Sequence, residues 1–154
     1  MLLILKAPWL EQKTLQAQLD LSQKIYGAYF EANKTAGEVT ATLRKLSELR
    51  TNSELEASMK EKVAAARTEL QAIVGTVDPS DHPTMGLQQV QTALAADMAS
   101  VRTGDRGPTA QEEELYRIVE ASVRMRVDQW KQFKQNTLPQ LDPVLKQISL
   151  NEVR

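Results

Sequence analysis

The sequence predicts an all-α protein, an antiparallel up-down four-helix bundle with two long outer helices, the first and the fourth, and two short ones. Two observations predict it. Beyond residue 10, apolar residues recur at spacings of three, four and seven, which is the period of a helix face. Turn-forming clusters divide those runs at Thr51-Asn52, at Asp78-Pro79-Ser80-Asp81-His82-Pro83 and from Gly104 to Pro108. Residues 1–10 stand apart. The apolar, branched run Met1 to Leu5, closed by Pro8, suits a remnant strand or a disordered lead-in, so the bundle is expected over 11–154.

In the first helix, Gln12 to Arg50, two apolar stripes run side by side. One holds Leu15, Leu19, Tyr26 and Tyr29; the other holds Leu21, Ile25, Ala28, Ala32, Val39, Leu46 and Leu49. Together they are wider than a coiled-coil seam, so this helix meets more than one neighbour. Gly27 and Gly37 weaken it by about 1 kcal/mol each relative to alanine. A break between Asn33 and Gly37 is the alternative to a continuous rod.

Ser53 with Glu56 matches a capping box and places the start of the second helix, whose stripe is Leu55, Met59, Val63, Ala66, Leu70 and Ile73. It stops near Gly75. The third helix, Thr84 to Arg102, aligns Leu87, Val90, Leu94, Met98 and Val101. Thr109 with Glu112 forms another capping-box pattern, and the fourth helix carries Tyr116, Val119, Val123, Val127, Trp130, Phe133, Leu141, Val144 and Ile148. Pro139 predicts a kink within it, and Pro143 a further division.

Element lengths suggest an uneven bundle. At 1.5 Å per residue the outer helices run to roughly 58 Å each, against roughly 35 and 27 Å for the inner pair. With antiparallel neighbours, the second helix covers residues 28–50 and the third covers 109–127. The start of the first helix is then left beside the end of the fourth. Six of the seven aromatic residues fall in that two-helix extension; only Tyr116 does not. An interface is therefore expected there, formed by Trp9, Tyr26, Tyr29, Phe30, Trp130, Phe133 and Leu141, and used for self-association as a homodimer or for packing on a neighbouring domain. If the first helix bends at Gly37, the same residues become ordinary core.

Composition narrows the function. With 42% hydrophobic and 25% charged residues the chain lies in the globular range, and no run reaches the ~18 apolar residues of a membrane span. Nineteen basic residues against twenty acidic ones give a net charge of -1, which supplies no field for nucleic acid or anionic lipid. No cysteine is present, so thiolate metal sites and cysteine nucleophiles are excluded. His82, the single histidine, lies between Asp81 and Pro83 at spacings that fit neither a calcium loop nor a zinc pair. Bundles that hold two metals use inward Glu-x-x-His pairs, and none occurs. Glu112 to Glu114 read as charge bias at a helix start, Asp97 as part of a solvated face, and Arg124, Arg126 and Lys131 as a mixed, solvated strip. Nucleophile-elbow, P-loop and dinucleotide motifs are all missing. No enzyme activity, catalytic residue, metal or cofactor is expected.

The order of segments resembles the C-terminal helical region of large bacterial sialidase-like proteins with BNR-repeat or sortilin-type β-propellers. The resemblance rests on Leu2-Leu3-Ile4-Leu5-Lys6-Ala7-Pro8-Trp9, Leu15-Gln16-Ala17-Gln18-Leu19-Asp20-Leu21-Ser22, Leu43-Arg44-Lys45-Leu46, Pro108-Thr109 and Leu138-Pro139-Gln140-Leu141. It implies that residues 1–8 are the last strand of a lost upstream domain, and that the chain is a C-terminal fragment or truncated reading frame of a protein that is typically exported. Any glycan or peptide chemistry would then belong to the propeller. The expected role is a non-catalytic accessory module acting by packing or self-association; the alternative is a free-standing adaptor for an amphipathic partner helix.

Overall fold

The computed structural model describes residues 8–75, 85–103 and 106–151, with side chains placed over 11–75, 85–103 and 106–146. Residues 1–7, and with them most of the expected remnant strand, lie outside that description, as do Asp78, Asp81 and His82. The described residues form five helices and no strand: α1 (Pro8–Arg50), α2 (Ala57–Val74), α3 (Leu87–Arg102), α4 (Ala110–Asn136) and α5 (Leu138–Asn151).

α1 is unbroken. Its 43 residues span about 64 Å and pass through Gly27 and Gly37 without a bend residue, so the Gly37 break does not occur. Only its second stripe faces the core: Ile25, Ala32, Val39 and Leu46 are fully buried. After Arg50 the chain reverses. Asn52 Oδ1 accepts the Glu54 backbone N–H at 3.0 Å, an Asx turn that occupies the segment where Ser53 was expected to cap. α2 therefore starts later, at Ala57, with Glu56 at its N-cap and no side-chain cap.

α2 ends on Gly75, whose φ of +91° is the left-handed C-cap that favours glycine. Its N–H donates to the Gln71 carbonyl at 2.9 Å. The backbone of Gly86, the N-cap of α3, lies directly against it: a Cβ on Gly86 would fall 2.2 Å from the Gly75 Cα. The two helices thus meet end to end, and α3 continues in the direction of α2. Gln91 Nε2 donates to Asn33 Oδ1 at 2.9 Å, and Gln18 donates to the Val101 carbonyl, which fixes α3 antiparallel to the first half of α1.

Thr109 opens α4 with the predicted capping box. Its Oγ1 accepts the Glu112 N–H at 3.2 Å, and Glu112 Oε2 accepts the Thr109 N–H at 2.7 Å. Gly107 packs beside Thr14, and Trp130 bonds to Glu38, so α4 runs parallel to α1. The joint with α5 falls at Thr137, two residues before Pro139, which has no N–H to donate to the Gln135 carbonyl. α5 then runs through Pro143 and packs on α4 and α1, while at the joint Thr137 Oγ1 lies 3.4 Å from Glu69 Oε2 of α2.

The side-by-side four-helix arrangement is thereby corrected. Two descending helices set end to end make one broken rod of about 51 Å from residues that side by side could not cover α1. The bundle has three rods: α1 up, α2 with α3 down, and α4 with α5 up. No two-helix extension remains, because the start of α1 meets the start of α4.

The Gly75–Gly86 abutment predicts a specific sensitivity. Gly86→Ala should cost about 1–3 kcal/mol by overpacking, read as a lowered urea midpoint. Gly37→Ala, where a Cβ meets nothing within 4 Å, should stabilise by about 0.5–1 kcal/mol. Equal effects at the two sites would contradict the junction.

Candidate interaction surface

The three-rod arrangement uses one stripe of α1 and leaves the other outside. Leu15, Leu19, Tyr26, Tyr29 and Phe30 are 54%, 50%, 65%, 37% and 61% exposed. They belong to the half of α1 that packs on α3, on the side turned away from the core. Between this stripe and α3 lies an open groove of about 670 Å³, lined by Leu15, Leu19, Tyr26, Met98 and Arg102. Over Gln12 to Asn33 the charged side chains of α1 fall elsewhere on the helical wheel, leaving glutamines and Ser22 among the apolar residues. Nearer the C-terminus the same face turns polar, with the exposed pair Arg44 and Glu48 at 4.0 Å.

The expected interface residues separate into two groups. Tyr26, Tyr29 and Phe30 lie on the exposed stripe. Trp130, Phe133 and Leu141 are 4%, 0% and 1% exposed and belong to the core, which corrects their assignment. The reason is the direction of α4: running parallel to α1, it brings Trp130 to Glu38 rather than to the start of α1. Trp130 Nε1 donates to Glu38 Oε2 at 2.7 Å, and the ring stacks on Phe133 at 5.6 Å. Lys134 Nζ sits 5.2 Å from the indole centroid and 3.6 Å from Glu38 Oε2. The indole hydrogen bond, with the two lysines Lys134 and Lys34, lowers the Glu38 pKa against a smaller desolvation effect. Trp9 lies in the backbone of α1, with its side chain outside the described residues.

Three charged groups are placed differently from the sequence reading. Glu112 is buried, not solvated: besides the cap, it accepts from Ser100 Oγ at 2.6 Å and from Arg106 at 2.9 and 3.2 Å. Those donors, the Arg106 guanidinium foremost, hold its pKa down to about 2. Asp97 is also buried, and neither carboxylate oxygen has a hydrogen-bond partner among the described residues. Desolvation raises its pKa, with Glu112 adding repulsion. Its position was legible, since Val90, Leu94, Asp97 and Val101 follow one helical seam. The basic strip dissolves as well. Arg126 is buried and donates to the Met85 carbonyl at 3.1 Å, while Arg124 pairs with Glu120 at 2.6 Å and Lys131 with Asp128 at 3.4 Å.

Among the described residues no three His, Cys, Asp or Glu side chains are grouped to hold a metal ion. No described helix is long and apolar enough to cross a membrane. No protein family, curated protein or solved structure matches the chain.

The two buried carboxylates predict opposite pH effects. Glu112, depressed from an unfolded value near 4.3, contributes stability that is present above that value and lost as the pH falls through about 2. Glu112→Gln should cost about 1–2 kcal/mol at neutral pH, and this deficit should shrink in urea titrations run at progressively lower pH. Asp97, raised, is favourable below its unfolded value and loses that advantage as the pH climbs through its folded pKa. Asp97→Asn should accordingly stabilise the protein at neutral pH and lose that gain toward pH ~4. A pH-independent difference in either variant would contradict the assignment.

Proposed function

We propose that this chain is a non-catalytic helical interaction module that works by packing or self-association through the outer face of α1. The observation that carries this reading is the contiguous, charge-free stripe of Leu15, Leu19, Tyr26, Tyr29 and Phe30 on a rigid, unbroken helix. From their fractional exposures and side-chain sizes, these five groups present on the order of 500 Å² per chain. That is at the upper end of what a monomer ordinarily leaves uncovered. Aromatic enrichment with depletion of charge is also the composition of an interface core. Glu112 is fully engaged in capping and ion pairing.

A second reading, an adaptor for an amphipathic partner helix, is favoured by the groove between α1 and α3, where Met98 and Arg102 extend the stripe onto a second helix. Under either reading the working surface is the same. As the accessory region of a larger exported β-propeller protein, the module would present this face to its neighbour.

Charge placed on the stripe tests the reading. In analytical ultracentrifugation the wild type should show a mass that rises with concentration, whereas Tyr26→Glu/Phe30→Glu should stay monomeric throughout. Both positions are more than half exposed, so helical circular dichroism should persist and stability should change by less than about 1 kcal/mol. Identical sedimentation of the two proteins under conditions where the wild type associates would contradict a role for this face.

A further inference from the structure

Four of the five residues of the apolar stripe are related by an internal symmetry, and the fifth, Tyr29, falls opposite Gln16. Leu15 and Leu19 stand four residues apart, Tyr26 and Phe30 stand four apart, and the pairs are separated by seven residues centred on Ser22 and Gln23. Reversing the helix about that centre carries Leu15 onto Phe30 and Leu19 onto Tyr26. We infer that the occupant of this face is a second copy of the same chain, with α1 packed antiparallel against α1 of its partner about a two-fold axis at Ser22–Gln23. This inference rests on the interaction role proposed above and assigns its partner and register.

Three observations favour a second copy. A two-fold contact must be self-complementary, and in this register each leucine meets an aromatic ring, so every layer combines one smaller and one larger side chain. Ser22 and Gln23, uncharged and without a bulky ring, occupy the axis, where the two backbones come closest. The flanking charges agree in sign. The antiparallel register brings the Glu11 end of one α1 level with the Lys34 end of the other, whereas a parallel pair sets like charges level along both helices.

Area sets the strength. Two stripes of on the order of 500 Å² each bury about 1,000 Å² in total, the lower bound for a specific protein–protein contact. The dimer is therefore dissociable. Arg44 and Glu48, beyond the stripe, end the contact before the second half of α1, so only the α3-bearing halves of the two bundles overlap.

The native chain has no cysteine, so single cysteines report the register directly. Leu15→Cys and Phe30→Cys, each exposed, are mixed and oxidised at a concentration where sedimentation shows dimer. The Leu15→Cys protein should cross-link to the Phe30→Cys protein and not to itself, and the Ser22→Cys protein should cross-link to a Gln23→Cys protein. Circular dichroism of each variant verifies the fold, and Tyr26→Glu in each cysteine background should abolish the cross-links. Self-linkage of Leu15→Cys, or wild-type association without any linkage at these positions, overturns the register while leaving the interaction role in place. A chain that remains monomeric at high micromolar concentration overturns the self-pairing. Failure of Tyr26→Glu/Phe30→Glu to alter the sedimentation of an associating wild type would overturn the use of this face altogether.

Discussion

The close contact between Gly75 and Gly86 governs the rest of the architecture. A helix that ends on a left-handed glycine would ordinarily reverse direction through the next turn. Here the backbone of the following helix start occupies the space where a side chain would be, and α3 proceeds along the line of α2. Once α3 descends with α2, α4 must ascend, and α1 and α4 become parallel. The pairing of Trp130 with Glu38 and the seat of Gly107 beside Thr14 follow from that one choice.

The same choice creates the exposed surface. Three rods enclose a single apolar seam between them, and α1 satisfies it with Ile25, Ala32, Val39 and Leu46. Its other stripe has no fourth rod to meet. Packing and polar networks elsewhere are well satisfied, from the Thr109–Glu112–Arg106 cluster to the Arg126 contact with the Met85 carbonyl. The Nε of Arg67 and the carboxylate of Asp97, between α3 and α4, are buried without hydrogen-bond partners among the described residues; burial raises the Asp97 pKa. Its raised pKa lowers the desolvation cost by favouring the neutral form.

Much of the fold was legible because helix periodicity is a local property. The spacing of Val63, Leu70, Val90, Leu94, Val119 and Val123 named the buried faces, and Thr109 with Glu112 marked the start of α4. Directions were not legible, since the contact of Gly75 with Gly86 is backbone packing that no stripe records. That single unknown inverted α4 and moved Trp130, Phe133 and Leu141 from an expected interface into the core. Ser53 misled for a smaller reason: Asn52 makes a competing turn one residue earlier. The candidate surface was half legible. Both stripes of α1 were visible in the spacing, but which one faces water depends on where α3 and α4 lie.

Because parallel α1 and α4 are the root of both the core and the exposed stripe, their relative direction is the decisive quantity. Pulsed electron paramagnetic resonance between spin labels at Gln16→Cys and Gln111→Cys, compared with labels at Gln16→Cys and Gln135→Cys, measures it in a chain that has no cysteine of its own. Gln111 and Gln135 are separated along α4 by about 36 Å. The three-rod bundle requires the short distance for the first pair and the long one for the second; the reverse order would place the start of α1 beside the end of α4 and contradict it.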